Sequence, residues 1–190
     1  MRLLVALALL ALPAFAGAVK VPDTNINYSA KTTVTIEGQS HALRITGVAL
    51  REKAFFNVYA IASYIAADAQ ASGAHGLATA DTAKLLHLIM ERDVSGAKMG
   101  GAFKSAIRAN YASGFNAEIA QLSGLLTKRE AKKGEHFRFV HLPGKGVKIS
   151  RSSGGAVTIA NAKFAVAVWQ IYLGRKNVDS DIKKGLVKRL

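Results

Sequence analysis

The chain has no cysteine, only three prolines and one tryptophan, and twelve acidic residues against twenty-six lysines and arginines. Each shortage excludes something. Without cysteine there is no disulfide staple, no thiolate metal site and no lipid-modified cysteine anchor, so any fold must rest on apolar burial. With so few carboxylates, paired acids of the glycosidase kind are improbable, and no defensible Ser-His-Asp order or phosphate-cradling glycine loop occurs. The Met99-Gly100-Gly101 stretch lacks the lysine and spacing that a phosphate loop needs. The five histidines do not assemble into a metal set: His136 and His141, five apart on one strand, point to opposite faces, and His87 within KLLHLIM reads as a satisfied strand histidine. Neither a metal nor a cofactor is therefore expected.

The longest apolar stretch lies at the very start. Residues 1–18, MRLLVALALLALPAFAGA, combine Arg2, an apolar run from Leu3 to Leu12, Pro13 and small residues at Ala14, Ala16 and Ala18. That pattern reads as a cleavable signal peptide, with Ala-x-Ala cleavage points after Ala16 and after Ala18 and a run too short to span a bilayer. The expectation is a periplasmic or secreted protein with no transmembrane segment. About 172 residues then remain, enough for a single domain with a substantial core, 19–190. The formal net charge of +14 implies attraction to anions. Export and the lack of interleaved aromatics argue against nucleic acid, which leaves acidic small molecules and a weak contact with anionic lipid surfaces. A solvated basic surface explains most of the lysines equally well.

Alternation over Thr33–Ile36 and His41–Ile45 around Glu37-Gly38-Gln39 predicts a β-hairpin, and Phe55–Ile65 predicts a long strand buried on at least one face. Ala69–Ala80, small and polar with Gly73 and Gly76, reads as a loop before the strand Lys84–Met90. Apolar spacings of three and four over Gly96–Tyr111 and Phe115–Leu126 predict two amphipathic helices. HFRFVHL, GVKIS and AVTI follow as an antiparallel meander, then a helix capped by Asn161 and stopped by Gly174, and a last basic helix starting at Asp179 or Ser180. The order predicts an α+β fold with helices packed on one face of a large antiparallel sheet.

Arg51 stands just before the longest charge-free run of the mature chain, Ala54–Ala67, which carries Tyr59 and Tyr64. An arginine fork binds carboxylates or enolates bidentately, so Arg51 with a phenol could hold an acidic head group at the mouth of an apolar cavity. A solvated arginine at a strand end is the competing explanation. Seven residues separate Arg51 from Tyr59, and on one continuous strand the pair would lie roughly 26 Å apart. The chain must therefore reverse between them, although Glu52-Lys53-Ala54 offers no glycine or proline.

Taken together, Gly47-Val-Ala-Leu-Arg51, VYAIASY (58–64), ERDVS (91–95), KKGEHFRFVHLPGKGV (132–147) and NAKFAVAVWQIYLG (161–174) resemble the chalcone isomerase-like superfamily, most closely its bacterial secreted branch. The resemblance runs in order from about Lys31 to Val187. It implies an open-faced β-sandwich with a ligand cleft between sheet and helices. The superfamily includes plant isomerases that close chalcones to flavanones and relatives that bind fatty acids without catalysis. By resemblance Arg51 is the family arginine, Tyr59 stands where the isomerases have threonine and the fatty-acid-binding relatives have tyrosine, and Asn110 matches the isomerase asparagine. Phe103 replaces the isomerase tyrosine and Ile171 a hydroxyl residue. The second glycine of the family's Gly-x-Gly-x-Arg is Ala49 here. Loss of two hydroxyls favours an acyl ligand over a flavonoid. The expected site is thus Arg51 and Tyr59 on a carboxylate, with Asn110 and walls from Val58, Ile61, Phe103, Ile107, Val168 and Ile171, each of which ordinary core packing would also explain. The alternative is an intramolecular lyase of the chalcone-to-flavanone type in which Arg51 stabilises an enolate, with water or Tyr59 as proton relay.

Overall fold

The computed structural model describes residues 17–190. The signal-peptide reading falls on residues 1–18 and so lies almost wholly outside the described part. Among the described residues, no helix is long and apolar enough to cross a membrane.

In chain order the elements are β1 (Ala18–Lys20), β2 (Asn27–Ser29), β3 (Lys31–Ile36), β4 (Gln39–Lys53), β5 (Phe56–Ala66), α1 (Gly73–Thr79), β6 (Lys84–Met90), α2 (Gly96–Asn110), α3 (Asn116–Leu126), β7 (His136–Leu142), β8 (Gly146–Arg151), β9 (Ala156–Ile159), α4 (Ala162–Leu173) and α5 (Ser180–Leu186). Strands β3 to β9 form one seven-stranded antiparallel sheet in sequence order, and β1 pairs with β2 alone. This is the expected α+β arrangement. Because every neighbour in the sheet is also a neighbour in sequence, each strand is placed by a local reversal or by a helical excursion that returns beside its predecessor.

Side chains alternate across the sheet and divide the core in two. One face carries Ile61, Leu86, Leu88, Phe137, Phe139 and Ile149, packed against Phe103, Leu122, Phe164, Val168 and Trp169 of the helices. The opposite face gathers Leu43, Ile45, Ala60, Ala62, Tyr64 and Leu85 under Val21 and Tyr28 of the β1–β2 hairpin. Tyr28 is tied there by its hydroxyl, which donates to the Ala60 and His87 carbonyls at 3.1 and 3.0 Å.

Two local expectations need correction. Ala69–Ala80 is not loop throughout, because Gly73–Thr79 forms α1. Its two glycines oppose helix and Ser72 gives no side-chain cap; buried Leu77 and Ala78, and the Lys84 ammonium that donates to both of their carbonyls at 3.0 Å, hold it instead. Phe55 does not begin the long strand either. Ala54 and Phe55, with φ of 49° and 67°, are the two central residues of a tight turn between Lys53 and Phe56. Both residues being left-handed matches the right-handed twist of the flanking strands, which is why this turn joins hairpins even without glycine. That turn is the reversal that the Arg51–Tyr59 spacing demanded.

Candidate functional site

The hairpin puts Arg51 and Tyr59 opposite each other in register, so both project from the same face of the sheet. A register shift between Arg51 and Glu52 marks a bulge next to the arginine. The site arginine and its phenol are thus fixed to rigid strands a few ångströms apart, although the sequence alone allows a much larger separation.

A cleft of about 850 Å³ opens at this point between the β4–β5 hairpin, the β6–α2 connection, α2 and the end of α4. Arg51, Tyr59, Phe103 and Ile171 line it, as does Val58 among the further wall candidates. Met99, Ala102, Ala106, Val94, Tyr172 and Val178 complete much of its apolar surface. The cleft stays open because α2 turns small residues toward it: a Cβ on Gly101 would meet nothing within 4 Å, whereas one on Gly96 or Gly100 would collide with the Thr127 region beside α3. Small residues on one side of α2 therefore seat it on α3, and small residues on the other leave room. Phe103 stacks on Phe139 at 5.4 Å between ring centres, which holds the cleft wall against the sheet.

Three predicted residues lie elsewhere. Ile61, Ile107 and Val168 are fully buried in the helix-side core and do not line the cleft. Asn110 is also a correction. Its amide donates to the Lys176 carbonyl at 3.0 Å and more weakly to those of Ala106 and Gln170, while its oxygen accepts from the Lys176 amide at 3.2 Å. It braces the end of α2 against the α4–α5 connection, with its hydrogen-bonding capacity spent on backbone. Tyr64, the other phenol of the charge-free run, sits on the opposite face and donates to the Ser29 carbonyl.

Arg51 has a partner that the sequence did not reveal. Its Nη1 donates to Asp179 Oδ2 at 2.8 Å, with the two side chains 25% and 29% exposed. The other carboxylate oxygen of Asp179 caps α5, accepting from the Asp181 amide at 2.9 Å. Asp179 is legible as a helix start, but not as an ion-pair partner 128 residues from Arg51. What brings it there is a close backbone approach. A Cβ on Gly47 would lie 2.0 Å from the Gly185 carbonyl oxygen, and one on Gly185 would clash with the Val48 carbonyl, so two glycines let α5 lie flat against β4. Thr46 Oγ1 donates to the Leu186 carbonyl at 2.8 Å and fixes the contact. Ala49, where the family pattern has glycine, is accommodated beside Gly185 and buried.

Tyr172 is the second unforeseen member. The Tyr59 and Tyr172 hydroxyls meet at 3.4 Å, and a pair sharing one hydrogen bond leaves one hydroxyl proton for an acceptor in the cleft. Burial raises both phenol pKa values above their ordinary value of about 10, countered only in part by the hydrogen bond with Tyr172 and by Arg51 for Tyr59, and by Arg51 for Tyr172, so both stay protonated at neutral pH. The remaining guanidinium N–H groups of Arg51 form no hydrogen bond to described residues. Arg51 and the phenol pair therefore present positive charge and hydroxyl donors beside hydrocarbon walls. That arrangement accepts an anionic oxygen and an apolar body.

The histidines behave as strand geometry requires. His136 faces His87, at 2.9 Å between ring nitrogens, and His141 points to the other face and meets Asp81 at 2.9 Å. Among the described residues no three His, Cys, Asp or Glu side chains gather as a metal set.

No curated protein matches the sequence at a significant level. The fold is similar to the crystal structure of a fatty-acid binding protein of Arabidopsis thaliana, with a TM-score of 0.69 over 90% of this chain and 96% of that one, at 14% sequence identity. A family model described as chalcone isomerase-like matches residues 25–187, nearly the whole described chain, and so this protein belongs to the chalcone isomerase-like family.

Proposed function

We propose that the protein is an exported, non-catalytic binding protein for a fatty acid or a similar apolar carboxylate. The observation that carries this reading is the open, largely apolar cleft of about 850 Å³ with Arg51, Tyr59 and Tyr172 set into its wall. That volume falls within the range of small-molecule sites. In this reading the carboxylate takes the free guanidinium nitrogens of Arg51 and a hydroxyl of the Tyr59–Tyr172 pair, with the acyl chain along Val58, Phe103, Ala106 and Ile171. Each methylene removed from water contributes on the order of 0.8 kcal/mol, so a medium chain supplies most of the affinity and the head group supplies orientation.

One feature favours binding over isomerisation: Phe103 and Ile171 offer no hydrogen bond to a flavonoid's hydroxyls. The Arabidopsis relative in fold is a fatty-acid binding protein by its own description, which supports the same ligand class here. For export, cleavage after Ala16 suits the fold better than cleavage after Ala18, because the Gly17 carbonyl accepts from the Ala30 amide at 2.8 Å and Ala18 pairs with Ser29.

The test is Arg51→Ala titrated with a fluorescent fatty acid. Loss of one hydrogen-bonded charge should weaken binding about ten- to a hundredfold, in line with about 1.5–3 kcal/mol for a bond to a charged group, with an unchanged circular dichroism spectrum. Wild-type affinity in the variant would refute the clamp, and turnover of a 2′-hydroxychalcone above its spontaneous rate would restore the isomerase reading.

A further inference from the structure

Large apolar side chains exposed to solvent are few among the described residues: Phe55, Phe56 and the terminal Leu190. Two of the three are neighbours at the tip of the β4–β5 hairpin, and Phe55 is as exposed as in an extended peptide, at 101%. The turn gives no structural reason for it. At φ 67° a glycine or asparagine is comfortable and a bulky aromatic is strained, so Phe55 combines a disfavoured backbone with unburied hydrocarbon and gains no packing within the chain.

The surroundings of this tip point to its partner. Phe56, 59% exposed, lines the cleft mouth and has the Arg92 guanidinium 4.8 Å from its ring centre. Lys53, Arg92 and Lys98 also line the mouth, and none has a carboxylate at ion-pair distance among the described residues. Of the acids nearby, Asp93 and Glu130 are both bound by Lys132, Asp179 is bound by Arg51, Glu91 before Arg92 is half-buried, and Glu52 is the exposed acid of the hairpin. Protruding aromatic rings flanked by long cationic side chains fit a bilayer interface, where the rings enter the headgroup–acyl boundary and the cations meet lipid phosphates. The net charge, +14 for the full sequence and about +13 once Arg2 leaves with the leader, adds attraction to an anionic surface at longer range.

We propose that the Ala54–Phe55–Phe56 tip docks the cleft mouth onto an anionic phospholipid bilayer, so that an acyl ligand passes between membrane and cleft without crossing bulk water. The purpose assigned to docking rests on the acyl reading of the cleft; the docking itself does not.

The experiment is co-sedimentation of the purified protein with phosphatidylcholine vesicles, with and without phosphatidylglycerol. Wild type should partition to the anionic vesicles and be released by salt. Phe55→Gly suits the left-handed turn and lies outside the cleft lining, so it should keep or raise thermal stability and keep binding of a fluorescent fatty acid in vesicle-free buffer. It should lose about tenfold or more in vesicle partition. Phe55→Trp should show a blue-shifted emission on anionic vesicles relative to buffer, against the constant signal of buried Trp169. Absence of wild-type protein from the anionic pellet, or equal sedimentation of Phe55→Gly, overturns the proposal. Arg51→Ala separates the two readings: lost probe binding with retained sedimentation supports both, whereas probe binding equal to wild type with retained sedimentation removes the acyl reading and leaves the docking intact.

Discussion

The guanidinium of Arg51 is held by one carboxylate, Asp179, and on the proposed function would serve a second that arrives with the ligand. The fixed pair is partly exposed, so it adds only about 0.2–1 kcal/mol to stability, and its larger effect is to orient the fork and temper its charge. Asp179→Asn keeps a good helix cap while removing the competing charge. The expected outcome is a Tm within a few degrees of wild type and carboxylate affinity raised about three- to tenfold, measured by calorimetric titration. Affinity equal to or below wild type would mean that the Asp179 charge does not compete with the ligand. The individual residues of this site were unevenly legible. Arg51 and Tyr59 announced themselves by a charge beside an apolar run, but Asp179 and Tyr172 looked like an ordinary helix start and an ordinary core aromatic. Only three-dimensional placement turns a capping residue into an ion-pair partner.

Among the elements, α1 is the least expected and depends on a buried amine. Lys84 is fully buried, donates to the two carbonyls at the end of α1 and lies 5.0 Å from the Trp169 ring centre. Burial lowers its pKa to about 7, with nearby Asp81 only partly restoring the charged form. In the unfolded chain the same lysine titrates near 10.4. Between those two values the unfolded chain holds the extra proton, so stability should rise with pH from about 7 to about 10, the contribution being full above the unfolded value and lost as pH falls through the folded one. Urea unfolding across this range should show that rise in the wild type and a flatter profile in Lys84→Met. A wild-type profile that is flat or falling there would contradict the assignment. The helix itself was hidden because its two glycines and missing cap look like loop, and because the support comes from a side chain on the next strand. The hairpin turn was hidden for the opposite reason: Ala54 and Phe55 carry none of the usual turn residues, yet the strand twist imposes the left-handed geometry. The amphipathic helices α2 and α3 and the strands β5 to β9, whose periodicity depends on their own burial, were read nearly to the residue, whereas β4 runs on past the expected Ile45 to Lys53 and the β1–β2 pair was not foreseen.

At the scale of the whole molecule, a sheet in sequence order with helices on one face follows from the succession of strand and helix patterns, and the family resemblance agrees with it. The existence of a cleft does not follow from patterning. It depends on glycines that bring α2 onto α3 and α5 onto β4, and on small residues left facing the gap, none of which differ in hydropathy from well-packed ones. Half of the proposed wall accordingly proved to be core, where Ile61, Ile107 and Val168 fill the space between sheet and helices. The proposed function requires the cleft to recognise a carboxylate on an apolar chain through Arg51. The most direct test is calorimetric titration of wild type and Arg51→Ala with dodecanoate and with dodecanol, which share a chain and differ in charge. Wild type should prefer the acid by about tenfold or more, and Arg51→Ala should bind both alike. Equal affinity of the wild type for acid and alcohol, or an acid preference that survives in Arg51→Ala, would contradict the account.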